Sequence, residues 1–530
     1  MKNYLILSVY TIFNNYFKLP VATLILISGM VGCKENNDRP PGQDKPNIIL
    51  FLVDDMGWQD TSVPFWTRRT PFNDRYHTPN MERLARQGMK FTQAYATPVC
   101  SPTRISLMTG MNAARHRVTN WTLRKNTSND RKNPRLDFPA WHVNGMSPEP
   151  GIERTVYATA LPALLQEAGY FTIHCGKAHF GAMETPGANP ETLGFEVNIA
   201  GHAAGAPKSY RGTENFGNIK AYEGTPWAVP GLDKYHGKDI FLTEALTQEA
   251  KLAMDSAINK NQPFFLYMAH YAVHTPIQSD PRYWQKYLNT GLDSIEASYA
   301  SMVEGMDKSL GDLMDFIEEK KVDENTIILF MSDNGGLSAA ARGGEPHTHN
   351  RPLSSGKGSS HEGGIREPMI VRWPGLVKPN TVNDHYLIIE DFFPTILEMA
   401  GSTRYETVQQ IDGISFVPLL TEAAMPSEDR PLFWHFPNEW GHDGPGIGAF
   451  SAVRKGDWKL IYFHADGRFE LFNLTEDIGE THNLAAENDE KLREMSTLLT
   501  RYLNEVDAQM PVDKETGKPL DYPEDARLKM

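Results

Sequence analysis

The sequence predicts an α/β fold, a sheet flanked by helices, with a smaller α+β subdomain at its C-terminal end. Three observations carry this. Four unbroken apolar runs end abruptly in polar, ionisable residues. Helically spaced apolar positions lie between those runs. Beyond residue 425 the pattern changes to short, closely spaced runs.

The first run, residues 47–53 (Asn-Ile-Ile-Leu-Phe-Leu-Val), has no polar alternation and suits a strand covered on both faces. It stops at Asp54-Asp55. A helix over residues 161–168 stops at Gly169. The run at 170–173 leads to Gly176-Lys177 and His179, and the run at 264–268 to His270 and His274. Tyr299, Met302, Val303, Met306, Leu310, Leu313, Met314 and Ile317 follow helical spacing. The fourth run, 327–331, then stops at Ser332-Asp333-Asn334-Gly335-Gly336. Ligands of open α/β sheets bind beyond the carboxyl ends of the strands, so these four ends predict one shared site. Residues 452–454, 458–463 and 470–474 read as short antiparallel strands, and 487–506 as a terminal helix.

A chain of 530 residues with 40% hydrophobic content can bury a large core in more than one domain. Its net charge of −14 is the wrong sign for a nucleic-acid binder. If the substrate is anionic, positive groups must be placed locally. Lys2 and Lys18 are the charged residues before Lys34, and an apolar stretch over 19–32 is short for a membrane span. Residues 1–32 therefore read as a signal peptide. Met30-Val31-Gly32-Cys33 resembles the lipobox of bacterial lipoproteins, which predicts a lipid anchor on Cys33; an ordinary signal peptide is the alternative. The predicted organisation is signal peptide 1–32, flexible tether 33–45, main domain 46–425 and C-terminal subdomain 426–530. The chain has three cysteines, Cys33, Cys100 and Cys175.

The most informative segment is Thr97-Pro98-Val99-Cys100-Ser101-Pro102-Thr103-Arg104, with Gly110 following. It resembles the signature of the formylglycine-dependent sulfatases, Cys-x-Pro, then Ser or Thr, then Arg. Alone, it is also compatible with a buried Cys at a helix start. Further segments match in the expected order: Asp54-Asp55-Met56-Gly57, Asp333-Asn334-Gly335-Gly336, His274-Thr275-Pro276, and Gly356-Lys357-Gly358 before Glu362-Gly363-Gly364-Ile365-Arg366-Glu367-Pro368. Gly176-Lys177-Ala178-His179-Phe180-Gly181 resembles the family's Gly-Lys-Trp-His-x-Gly, with Ala178 in place of Trp. Gly456-Asp457-Trp458-Lys459-Leu460 and Glu470-Leu471-Phe472 resemble its small subdomain. The resemblance spans residues 45–485 and implies an alkaline-phosphatase-like mixed sheet.

The resemblance also implies chemistry. Cys100 would be oxidised by a formylglycine-generating or sulfatase-maturating enzyme to 3-oxoalanine, whose hydrate attacks sulfur and then releases sulfate. A plain thiol lacks the second hydroxyl needed for that release. Asp54, Asp55, Asp333 and Asn334 form an oxygen-only donor set that suits Ca²⁺ or Mg²⁺ over zinc; one Ca²⁺ is expected. By resemblance, Arg104 supports the modified residue, Lys177 and Lys357 clamp sulfate oxygens, His179 assists sulfate release, and His274 protonates the leaving alcohol. His270 reads as a core histidine.

For the sugar, residues 120–154 with Trp121 and Trp141 could line a pocket or form an ordinary surface loop. His347, His349, Asn350 and Arg351, shortly before Lys357, are the candidate substrate contacts. The expected activity is hydrolysis of sulfate esters on an algal or glycosaminoglycan-type polysaccharide or its oligosaccharides. The protein is expected at the outer membrane or cell surface, or in the periplasm, held to the membrane by lipid alone. The rivals are a phosphomonoesterase or phosphonate monoester hydrolase of the same superfamily, and an inert lipid-anchored glycan-binding protein.

Overall fold

The computed structural model describes residues 45–421 and 430–529. The expected signal peptide, the anchor at Cys33, nearly all of the tether and the 425/426 boundary lie outside the described residues. Asp44–Met530 form one compact unit.

The chain builds a nine-stranded sheet. Its strands in chain order are β1 (Asn47–Val53), β2 (Met89–Tyr95), β3 (Phe171–Gly176), β4 (Val197–Ile199), β5 (Phe264–Ala269), β6 (Thr326–Ser332), β7 (Arg366–Arg372), β8 (Thr381–Asn383) and β9 (Leu387–Ile388). The spatial order is β8-β2-β7-β6-β1-β5-β3-β4, with β9 also on β2. β7 runs antiparallel to both neighbours, and every other pairing is parallel. The sheet is therefore mixed, as expected. β1 sits at its centre, and its apolar run feeds two cores because successive side chains point to opposite faces. Ile48, Leu50 and Leu52 enter one cluster, and Ile49, Phe51 and Val53 the other.

The second cluster packs under α1 (Pro79–Gln87), the helix Leu242–Asn259 and the 26-residue helix Ser294–Glu319, which carries the predicted stripe from Tyr299 to Ile317. The first packs under the helices Cys100–Thr109 and Leu161–Glu167. On that side it also meets a separate four-stranded antiparallel sheet: β10 (Leu432–Phe436), β11 (Phe450–Lys455), β12 (Trp458–Phe463) and β13 (Phe469–Asn473). The other face of this small sheet is closed by the helix Asp489–Glu505 through Leu492, Met495, Leu499 and Leu503. The sequence pattern places three of these four strands and misses β10.

Because β7 is antiparallel, its start lies at the same sheet edge as the ends of β1, β3, β5 and β6. The chain that enters β7, including Lys357, therefore arrives beside Asp54, Lys177, His274 and Asp333. A charged interface fixes this approach. Lys459 on β12 donates to Glu362 and to Glu480 at 2.9 Å each, with all three side chains buried. Glu362 also accepts from Tyr95 at 2.6 Å.

Candidate active site

Strand geometry sets the floor of the site. β1 and β6 are adjacent and in parallel register, so Asp54-Asp55 and Asp333-Asn334 emerge side by side. All four are fully buried. The Asp55 amide donates to Asp333 Oδ1 at 3.2 Å, and Asn334 Nδ2 donates to Asp55 Oδ1 at 2.7 Å. Cys100 is the first residue of its helix and accordingly lies where backbone N–H groups favour an anion. Its Sγ is 3.6 Å from Asp54 Oδ1 and 3.3 Å from Lys357 Nζ.

Three cations balance the carboxylates one to one. Lys177 Nζ donates to Asp54 Oδ2 at 2.7 Å, Lys357 Nζ to Asp55 Oδ1 at 2.5 Å, and Arg104 Nη2 and Nε to Asp333 Oδ2 at 2.8 and 2.9 Å. Arg104 also donates to the Lys177 carbonyl at 2.9 Å, which ties the two cation-bearing segments together. The Lys357 loop is held at both ends of its approach: the Lys357 amide donates to Gly336 O and the Gly358 amide to Pro98 O.

Burial raises the Asp54 carboxyl well above its ordinary value, and the negative charge of Asp333 adds to this. Burial also opposes ionisation of Asp55, but Lys357, with His274 and Lys177, outweighs it and holds that carboxyl low. Asp55 Oδ2 and Asn334 Oδ1 are buried without a hydrogen-bond partner. Unmatched oxygen donors among crowded carboxylates fit a hard divalent cation. Donor atoms of Asp54, Asp55, Cys100 and His274 also all lie within 4.8 Å of one another, so a cation held by these carboxylates would adjoin residue 100. Burial pushes the Cys100 thiol up to about 12, against Lys177 and Lys357. An unmodified thiol here is therefore a weak nucleophile.

The two histidines differ in what they offer. His179 Nε2 donates to Thr122 O at 2.8 Å, while its Nδ1 is buried and unpartnered. Burial, Lys177 and Arg104 hold this ring neutral, so Nδ1 presents a lone pair. His274 Nδ1 faces its neighbour's carbonyl, Thr275 O, at 2.9 Å, and its Nε2 lies 3.5 Å from Asp55 Oδ2. Both contacts suit a protonated ring. Burial and the charge of Lys357 nevertheless push it down to about 3, with Asp55 opposing. Further negative charge in the site would raise its hold on a proton. His270 is a core residue, bonded to Ser309 Oγ at 2.8 Å.

Above Cys100 opens a cavity of about 680 Å³, lined by His179, His274 and Lys357 from the floor. Its wall carries Trp121, Asn129, Lys208, Trp227, Trp440 and His442. Trp440 reaches in from the segment after β10, and its indole packs on Gly358. A Cβ there would lie 2.1 Å from Trp440 Cε3, so the residue after Lys357 must be glycine. Asn438 and Arg131 tie this segment to the Trp121 loop: Asn438 Nδ2 donates to Asp130 Oδ2, and the Arg131 amide to Glu439 O.

The four expected sugar contacts do not line this cavity. His349 is buried and bonded to Ser338 Oγ and Gly343 O. Asn350 is buried and donates to Gly336 O and Ser355 O, bracing the Gly335-Gly336 turn from below. Arg351 lines a separate surface groove with Trp66 and Phe72, and the His347 ring packs on Gly444. Before it reaches Lys357, the chain over 347–351 braces the Gly335-Gly336 turn through Asn350 and borders the Trp66 groove through Arg351. Of the two tryptophans in residues 120–154, Trp121 faces the cavity, whereas Trp141 is buried and donates to Asp130. Sequence reasoning does not find Lys208, Trp227, Trp440 or His442, since no motif surrounds them.

Comparison with known proteins is consistent with this geometry. The sulfatase family profile matches residues 46–402, and the profile of the N-sulphoglucosamine sulphohydrolase C-terminal region matches 356–509. A sulfatase of Formosa agariphila is 30% identical over 517 residues, 88% of each chain. The N-acetylgalactosamine-6-sulfatase of Homo sapiens is 32% identical over 404 residues, 74% of this chain and 68% of that protein. The crystal structure of Ps i-CgsB in complex with k-i-k-neocarrahexaose aligns with a TM-score of 0.67 at 29% identity, over 87% of this chain and 93% of that one. The chain belongs to the sulfatase family and is a sulfuric ester hydrolase.

Proposed function

We propose that this sulfatase removes sulfate from a sulfated carbohydrate, with residue 100 matured to formylglycine and one Ca²⁺ held by Asp54, Asp55, Asp333 and Asn334. The observation that carries the reading is the position of Cys100, at a helix N-terminus between a carboxylate cluster and Lys357, at the base of a tryptophan-walled cavity. The relatives named for sulfated sugars support a carbohydrate, an algal or glycosaminoglycan-type polymer or its fragments.

When bound, the cation supplies positive charge against the sulfate oxygens. Matured and hydrated, residue 100 would supply one hydroxyl to attack sulfur as the ester S–O bond breaks, and a second whose loss of a proton re-forms the aldehyde and expels sulfate together with the first oxygen. The chain's own side chains do the rest. Lys177 and Lys357 offer ammonium donors beside residue 100, and Arg104 pairs with Asp333 and holds the Lys177 backbone in place. His179 Nδ1 is the lone pair able to take a proton from a hydroxyl on residue 100. His274 Nε2, on the cavity side of Asp55, donates to the leaving alcohol once the anionic ester has raised its proton affinity.

Export as a lipoprotein anchored through Cys33 is part of the proposal, supported by Met30-Val31-Gly32-Cys33 after the apolar stretch. The decisive experiment combines mass spectrometry of the Cys100 peptide with assays on matched sulfate and phosphate esters of one sugar. Turnover that tracks the aldehyde fraction, prefers sulfate and is lost on chelation supports the reading. Full activity with an intact thiol defeats it.

A further inference from the structure

The cavity wall bears a charge that sulfate hydrolysis does not use. The protein carries a net charge of −14, yet among the described residues no Asp or Glu lines the cavity. Within that lining, Lys208 is the sole Lys or Arg apart from Lys357 at the floor. Among the described residues Lys208 has no carboxylate within ion-pair distance. It is also held in place. Its amide donates to Trp227 O at 2.7 Å, its ammonium lies 4.7 Å from the centre of the Tyr222 ring, and its stem packs on Gly217. A Cβ on Gly217 would lie 2.5 Å from Lys208 Cβ, and Gly217 has a φ of +94°, so both space and backbone require glycine there. Lys208 and Trp227, joined through their backbones, thus bring a cation without a carboxylate partner and an indole to the same acid-free cavity, a combination that suits an anion beside a stacked sugar.

We propose that Lys208 binds a second anionic substituent of the substrate, a sulfate or a carboxylate, while the sulfate to be removed sits over residue 100. The substrate class is thus a carbohydrate with at least two negative groups, one on or adjacent to the ring that stacks against Trp227. The second group is held, not hydrolysed, because no nucleophile or carboxylate cluster stands beside Lys208 among the described residues. This inference rests on the carbohydrate reading above and extends it to specificity.

The test measures inhibition of p-nitrophenyl sulfate turnover by paired sugars. Each pair shares one hexose or hexosamine sulfate, and its second member carries either one further sulfate or one carboxylate. In the matured wild type the doubly anionic member should inhibit roughly tenfold better in at least one pair. Lys208→Gln should level that pair, read as the ratio of the two members' inhibition constants within the variant, and Lys208→Arg should retain the preference. Raised salt should weaken the preference of the wild type and of Lys208→Arg alike. The sulfate and carboxylate arms identify which anion is recognised. A wild type with no preference in any pair, or a preference that survives Lys208→Gln, overturns the proposal. Absence of inhibition by every sugar alongside normal aryl sulfate turnover defeats the carbohydrate reading instead.

Discussion

At the floor of the cavity, Asp54, Asp55, Asp333 and Asn334 are fully buried and each follows a central strand by one or two residues. On the wall, Trp121, Lys208, Trp227 and Trp440 lie in loops outside every strand and helix. Each carboxylate on the floor has its own cation, and Asp55 and Asp333 also accept from a neighbouring amide. The wall is made of segments far apart in sequence, joined by a few hydrogen bonds such as Asn438 to Asp130. Rigid strand ends suit bond-breaking chemistry, which tolerates little displacement, whereas loops suit selection among substrates. Substitutions at the floor should therefore lower turnover, and those on the wall should change which substrate binds.

The largest effect should come from Cys100→Ala, which is expected to lower sulfate ester hydrolysis by roughly 10⁴-fold or more while KM for residual turnover stays measurable. An active alanine variant would remove residue 100 from the chemistry.

Asp333→Ala should be nearly as severe, with turnover down roughly 10³-fold and bound Ca²⁺ lost. It also strands the fully buried Arg104 guanidinium, at about 3–5 kcal/mol of stability. Metal analysis and denaturant unfolding report the two losses separately. Normal metal content would contradict the ligand assignment.

Acid should loosen the scaffold beneath the floor. Burial pushes His116, His174 and His270 each down to about 3. An unfolded imidazole takes up a proton near its ordinary value of about 6.5, while these three stay neutral when folded. The unfolded state thus binds more protons below that value, and stability falls as pH drops from about 6.5 toward 3. Three such groups give a slope of at most roughly 4 kcal/mol per pH unit. Denaturant midpoints at pH 7, 6 and 5 measure it, and a flat profile would mean that the rings protonate in place.

His274→Ala should slow transfer from a sugar sulfate by roughly a hundredfold and from an activated aryl sulfate much less, since a nitrophenolate leaves without a proton. Single-turnover rates across leaving groups decide this. Equal defects would take His274 out of the acid role and make Lys357 the next residue to test.

The smallest change belongs to the wall. Trp440→Ala should raise KM for an oligosaccharide roughly tenfold with kcat within about twofold. A fall in kcat instead would show that Trp440, through Gly358, positions Lys357, and would blur the division between floor and wall.

Much of the floor is legible in the sequence because its signals are local. An apolar run such as 47–53 has the strand's period in its own residues, and its end marks where Asp54-Asp55 will stand. The parallel strands β1, β5 and β6 need no partner to be recognised, and neither does the long helix carrying Tyr299 to Ile317. Resemblance then ties Cys100, Lys177 and Lys357 to those ends. Tertiary structure alone decides that β7 runs antiparallel and so delivers Lys357 to the same edge. It decides too that His349 and Asn350 turn inward, and that Lys208, Trp227, Trp440 and His442 meet over Cys100. The reason is physical: a periodicity is a property of neighbours along the chain. A cavity wall depends on which distant loops the packed sheet brings together, and nothing within any one loop encodes that meeting.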